Sequence, residues 1–201
     1  MLNMEKAFRP KFLDKEIIEK RKEKLKEQYK SLEEGVYLNG KIMEFERQEI
    51  LRILTMMLPV DFVMMPEEYA LIKYPSAFRP QQIMTNLNLN VTMGFSVFPD
   101  NVKDKDVKQV AERIKEVLAS EEVGLDFGNC RQLANIDAYW FDFRNHGMDQ
   151  DIYNRLLVTL VKDRLLQITF SCQIQEQLDW KPVVAQMWES IETIKEKRDL
   201  K

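Results

Sequence analysis

Histidine occurs once in the 201 residues, cysteine twice and glycine six times. These shortages exclude more chemistry than any motif supplies. Cys130 and Cys172 stand alone, without the Cys-x-x-Cys spacing of zinc or redox sites, and are expected as buried or half-buried thiols. Six scattered glycines make no phosphate-cradling loop. No cofactor and no metal is therefore expected. Also missing is a long apolar run near the N-terminus that would serve as a signal-peptide core or membrane span, so a cytoplasmic location is the expectation. The 30 basic and 33 acidic residues are spread along the chain, with net charge −3 and no basic stripe. Nucleic acid is not an expected partner. What remains, 45% hydrophobic and 31% charged, suits one domain with a substantial core.

Residues 13–32 mix Lys, Arg and Glu with sparse apolar positions, and Ile18, Leu25, Tyr29 and Leu32 share one side of a helical wheel. This reads as an amphipathic helix that Gly35 ends. The organisation expected is a charged helical arm over 1–35 and a body over 36–197.

In the body, residues 41–45 and 50–58 read as strands joined by the polar stretch Glu46-Arg47-Gln48-Glu49. Both alternating sets of the second strand are apolar, which implies a layer on each face. A proline-punctuated turn or short helix follows Pro66. In residues 90–98, Val91, Met93, Phe95 and Val97 alternate with Asn90, Thr92, Gly94 and Ser96, giving one buried and one polar face. Asp104 is placed to cap a helix running to about residue 119. Residues 136–144, 153–161 and 164–172 read as three more strands, the last two joined by Lys162-Asp163 in an antiparallel hairpin. Asp179 is placed to cap a closing helix with Pro182 in its first turn. The element order implies an α+β, three-layer α/β/α sandwich around a mostly antiparallel sheet.

The run Lys73-Tyr74-Pro75-Ser76, with Arg79-Pro80 and then Thr85-Asn86, resembles the signature of bacterial members of the Mog/PsbP-like superfamily. So do Asp151-Ile152-Tyr153-Asn154 and Trp180-Lys181-Pro182 leading to Ser190-Ile191. The resemblance covers residues 36–195. It implies the same sandwich and a binding module. The superfamily includes a Ran-binding nuclear-import factor, extrinsic subunits of the photosynthetic oxygen-evolving complex, a periplasmic lipoprotein branch and the Eag-type adaptor chaperones of secretion effectors.

Candidate sites are few. His146 has Asp149 and Asp151 nearby for an acid-base couple, but it is also an ordinary solvated turn residue. Ser76 or Ser96 as a nucleophile lacks the Gly-x-Ser-x-Gly turn. Lys73, Tyr74 and Arg79 concentrate two cations and a phenol between prolines, suited to an anion or peptide corner or simply to packing. Met64 and Met65 belong to a methionine-rich region that suits either an adaptable binding surface or a core. Asp100, Asp104 and Asp106 lack calcium-loop spacing. Ile18, Leu25 and Tyr29 on the arm are candidates for docking another chain or a second copy. The function expected is a non-enzymatic protein-binding module, an adaptor or chaperone for another protein. A ligand-binding protein or enzyme using the 73–80 loop, and a homo-oligomer or homodimer built through the arm, remain the alternatives.

Overall fold

The computed structural model describes residues 11–77, 79–101, 106–121, 125–146 and 150–194. Helix α1 (Lys11–Gln28) is almost entirely solvated over residues 14–28, with Ile17 and Ile18 exposed and Lys22 paired to Glu19 at 2.8 Å. It ends four residues before the expected boundary. Tyr37 N–H donates to the Tyr29 carbonyl, and strand β1 (Lys30–Ser31) pairs with β2 (Gly35–Leu38), so Tyr29 and Leu32 belong to a hairpin. Gly35, at φ +92°, serves that hairpin instead of ending a helix. Asn39 and Gly40, both at positive φ, turn β2 into β3 (Lys41–Met43).

The next hairpin corrects the expected one. Strand β4 (Phe45–Ile50) contains the polar stretch read as a connector, and the turn falls at Leu51 and Arg52, both at positive φ, before β5 (Leu54–Pro59). Ile50, Leu54, Met56 and Leu58 are buried, while Leu51, Ile53 and Met57 are only half-buried. Charged side chains sit in β4 because its outer side is solvated. A short β6 (Val63–Met64) leads through Pro66 into α2 (Glu67–Lys73), and β7 (Gln82–Thr85) precedes β8 (Thr92–Asn101). Helix α3 (Val107–Glu121) is capped by Asp106, whose carboxylate accepts the Gln109 N–H at 3.2 Å; Asp104 lies outside the described residues.

Strands β9 (Asp126–Phe127), β10 (Arg131–Gln132), β11 (Ala138–His146), β12 (Asp151–Val161) and β13 (Arg164–Gln173) follow. Lys162 and Asp163 make the expected tight turn, again at positive φ. A 3₁₀ turn (Ile174–Glu176) leads into α4 (Gln177–Glu189), so Asp179 lies inside the first turn and Pro182 is well within the helix. Ile191 and Ile194 lie beyond the helix, flanking β14 (Glu192–Thr193).

The central sheet runs β10-β11-β12-β13-β8-β7-β6, with β9 also on β11. Every strand pair among the described residues is antiparallel. Helix α4 and the β4–β5 hairpin bury Met93, Phe95, Leu157, Ile168 and Phe170 on one face. On the other, α3 covers Phe141, Leu156 and Val158, while α2 covers Met65 and Ile83. The result is an α+β sandwich of helices around an antiparallel sheet.

Candidate protein-binding edge

Strand registers align one row of side chains across a single face of the sheet: Asp142, Arg155, Phe170, Met93, Met84 and Met64. Its two ends have opposite surroundings. Arg155, with a side chain 5% exposed, donates from Nε to Asp142 Oδ1 at 2.7 Å and from Nη1 to the Lys181 carbonyl at 3.0 Å. Tyr153 Oη donates to the same Asp142 oxygen at 2.7 Å. The guanidinium lies 4.3 Å from the Trp140 ring centroid and 5.7 Å from that of Trp188. Burial and the bond to Asp142 push the Tyr153 phenol far above its ordinary pKa, so it stays protonated and donates. Beside this network Lys181, Arg144 and Asp126 line an open groove of about 330 Å³. With Asp142 accepting from both Arg155 and Tyr153, the network clamps α4 to β11 and β12. Sequence reading missed it, although two opposite charges in the middle of apolar strands are a visible signal.

At the other end of the row Met64 is 56% exposed. Seven of the twelve large hydrophobic residues exposed among the described residues fall between positions 60 and 87: Val60, Val63, Met64, Tyr69, Leu71, Ile72 and Leu87. The cause is local. Helix α2 has only two turns and spends its buried side, Ala70, on Met65 and Ile83. Pro66 starts it, and a chain this short covers one strand and leaves β6 bare.

The residues singled out in the sequence separate into packing and surface. Met65 is buried and Met64 is exposed. Tyr74 packs against the Met65, Ala70 and Ile83 cluster, with its oxygen 3.0 Å from Thr92 Oγ1; burial raises its pKa. Lys73 Nζ donates to the Leu89 carbonyl at 3.1 Å, and partial desolvation lowers its pKa. Arg79 donates its backbone N–H to the Ser76 carbonyl at 3.2 Å, and none of the bonds described links it to Lys73 or Tyr74. Phe78 lies outside the described residues. Pro80 occupies the space over Gly94, where a Cβ would lie 2.7 Å from its Cγ. This loop therefore covers the face of β8 expected to be polar, and Thr92 and Gly94 are buried.

His146 Nδ1 lies 2.7 Å from Asp151 Oδ1 at the exposed end of β11 and β12; Asp149 is outside the described residues. Three strand spacings, roughly 15 Å, separate β11 from β8 and so keep His146 from the Tyr74 corner. On the arm, Ile18 is exposed, while Leu25 and Tyr29 are half-buried where Lys26 meets Asp179 at 3.7 Å. Cys130 is half-buried and Cys172 buried, both free. Among the described residues no group of three His, Cys, Asp or Glu is placed to hold a metal, and no helix is long and apolar enough to cross a membrane.

No family model and no curated protein matches the sequence. Solved structures do match the fold. The chain is similar to the Saccharomyces cerevisiae Ran-binding protein Mog1p (11% identity, TM-score 0.53), over 75% of this chain and 95% of that one. It is similar to cyanobacterial PsbP from Synechocystis (12% identity, TM-score 0.53), over 80% and 98% of the two chains. A point mutant of Mog1 matches at 10% identity and TM-score 0.54, over 77% and 98%. Identities this low carry the fold and nothing finer.

Proposed function

We propose, on the premise that this chain has the Mog/PsbP-like fold, that it is a non-enzymatic protein-binding module whose partner docks along β6 and α2. The observation that carries this reading is the concentration of exposed apolar side chains between positions 60 and 87. Exposed apolar surface concentrated at one edge of a sheet is the kind that marks interaction sites, and Met64 adds an adaptable thioether. That a neighbour of the same fold is named a Ran-binding protein supports a binding role. The role proposed is adaptor or chaperone for another cytoplasmic protein, performed by the 36–197 body. The 1–35 arm, which among the described residues meets the body at Lys26, through the β1 hairpin and through the buried Leu32, serves as a second contact.

The test is a native pull-down with quantitative mass spectrometry, comparing the full chain with Met64→Lys, Ile72→Lys and the control Leu178→Lys, which charges an exposed apolar site elsewhere. A partner retained by the control and lost with the two edge variants is the expected result. A partner lost only when residues 1–28 are removed, or equally with all three variants, overturns the reading.

A further inference from the structure

Seven strands lie at the outside of the three sheets, and six of them carry a charged residue. β1 has Lys30, β3 has Lys41, β4 has Glu46, Arg47 and Glu49, β9 has Asp126, β10 has Arg131 and β14 has Glu192. Charge on an outer strand opposes edge-to-edge pairing. β6 alone presents Val63 and Met64, 43% and 56% exposed. Its main chain is also open. Met65 N–H donates to the Ile83 carbonyl at 2.8 Å, and Val63 is the register partner of Thr85, so positions 63 and 65 turn their polar groups toward β7. Antiparallel alternation then turns the Met64 N–H and C=O outward. No hydrogen bond to either is found among the described residues. Just past this edge Glu67 and Glu68 are exposed in the first turn of α2, and neither is in an ion pair among the described residues.

We propose that the partner supplies an extended segment that pairs with β6 as an added strand. Its apolar side chains cover Val63 and Met64, and a Lys or Arg beside them meets Glu67 and Glu68. The proposal rests on the reading that β6 and α2 are the docking edge, and it specifies the secondary structure and charge of what docks. Strand addition supplies affinity through main-chain bonds and selectivity through alternate side chains. Here the main-chain bonds centre on Met64, and the charge preference comes from the two carboxylates.

The test uses the full chain and four fluorescein-labelled synthetic peptides, each about ten residues long. One alternates Val and Thr with two Lys at one end; the second carries two Glu in place of the Lys. The third is the Lys peptide with alternate backbone nitrogens methylated, and the fourth is an amphipathic Leu/Lys helix. Binding is read by fluorescence anisotropy, and exchange of the Met64 amide by NMR. The expected result is that the Lys strand peptide binds at least about tenfold better than the Glu and methylated ones and slows Met64 exchange. In Glu67→Lys/Glu68→Lys the preference reverses to the Glu peptide. Equal binding by the methylated peptide, an unprotected Met64 amide, or no binding by the Lys strand peptide overturns strand addition. Helix-peptide binding that Met64→Lys abolishes, with no strand-peptide binding, leaves the docking edge standing and removes only the strand mode. Peptide binding indifferent to Met64→Lys removes both.

Discussion

The row that begins at Asp142 and ends at Met64 lies on one face of one sheet, yet its ends have opposite fates. Asp142 and Arg155 are polar and mostly covered, whereas Met64 is apolar and mostly bare. Between them Phe170, Met93 and Met84 are buried. Residue type does not explain this gradient; cover does. At the β11–β12 end α4 lays Trp188 and the Lys181 carbonyl over the ion pair, and Trp140 stacks on the guanidinium. At the β6 end the neighbouring helix has only seven residues and lies over Ile83 on the opposite face. A covered polar pair holds the fold together, and an uncovered apolar strand is left facing solvent.

The largest expected effect comes from breaking the covered end. Asp142→Ala strips the partner from a buried guanidinium and from the Tyr153 hydroxyl, and is expected to cost about 3 kcal/mol in urea denaturation. Partner binding at β6, measured well below the new midpoint, should persist. If binding falls in step with Asp142 removal, the two ends are not independent.

Gly94→Ala probes the middle of the sheet. The added methyl would meet Pro80 Cγ, so a loss of about 1–3 kcal/mol is expected. A neutral result would mean the proline loop yields easily and is not the fixed cover of β8 described above.

Cys172, across from Tyr153 in register, reports on the covered end through pH. Burial pushes its thiol up to about 12, so the folded chain holds a proton that the unfolded chain releases near pH 9. The associated stability is fully present below the unfolded pKa and is lost as pH rises from about 9 toward 12, at about 1.4 kcal/mol per pH unit. Urea midpoints above pH 9 should therefore fall less steeply in Cys172→Ala than in the parent chain. Equal slopes would show that water reaches the thiol.

The smallest stability effects belong to the outer strands. Met64→Lys should change stability by less than about 0.5 kcal/mol while abolishing partner binding. The reciprocal change, Arg47→Val with Glu49→Val, turns the charged β4 edge into an apolar one, and concentration-dependent self-association in sedimentation is the expected outcome. A monomeric double variant would show that Arg47 and Glu49 are not what keeps β4 unpaired.

Long elements with clear periodicity were readable in advance. The β12–β13 hairpin sits where alternation and the Lys162-Asp163 turn put it. The α3 stripe of Val107, Val110 and Ala111 is buried as its spacing implies. Strands of two residues such as β6, β9, β10 and β14 carry no periodic signal and exist only because a neighbour pairs with them. The polar β4 looked like a connector because an outer strand has no need of apolar residues on both sides. Asn39-Gly40 is a strong hairpin signal in the sequence and sets the β2–β3 turn. The candidate site was half legible. Met64 and Met65 share a composition and so read alike, but adjacent strand residues point to opposite faces, and only Met65 is buried.

From its own residues the chain determines an antiparallel α+β sandwich, because alternation and helical stripes are local properties that any covering layer must satisfy. It also determines a poverty of catalytic parts, since one histidine and two distant cysteines are matters of count. Tertiary structure alone decided which polar residues are clamped and which apolar ones are left bare. Tyr74, Asp142 and Met64 each acquire their role from elements far away or absent along the chain. Burial is a property of the assembled layers, and no residue carries it by itself.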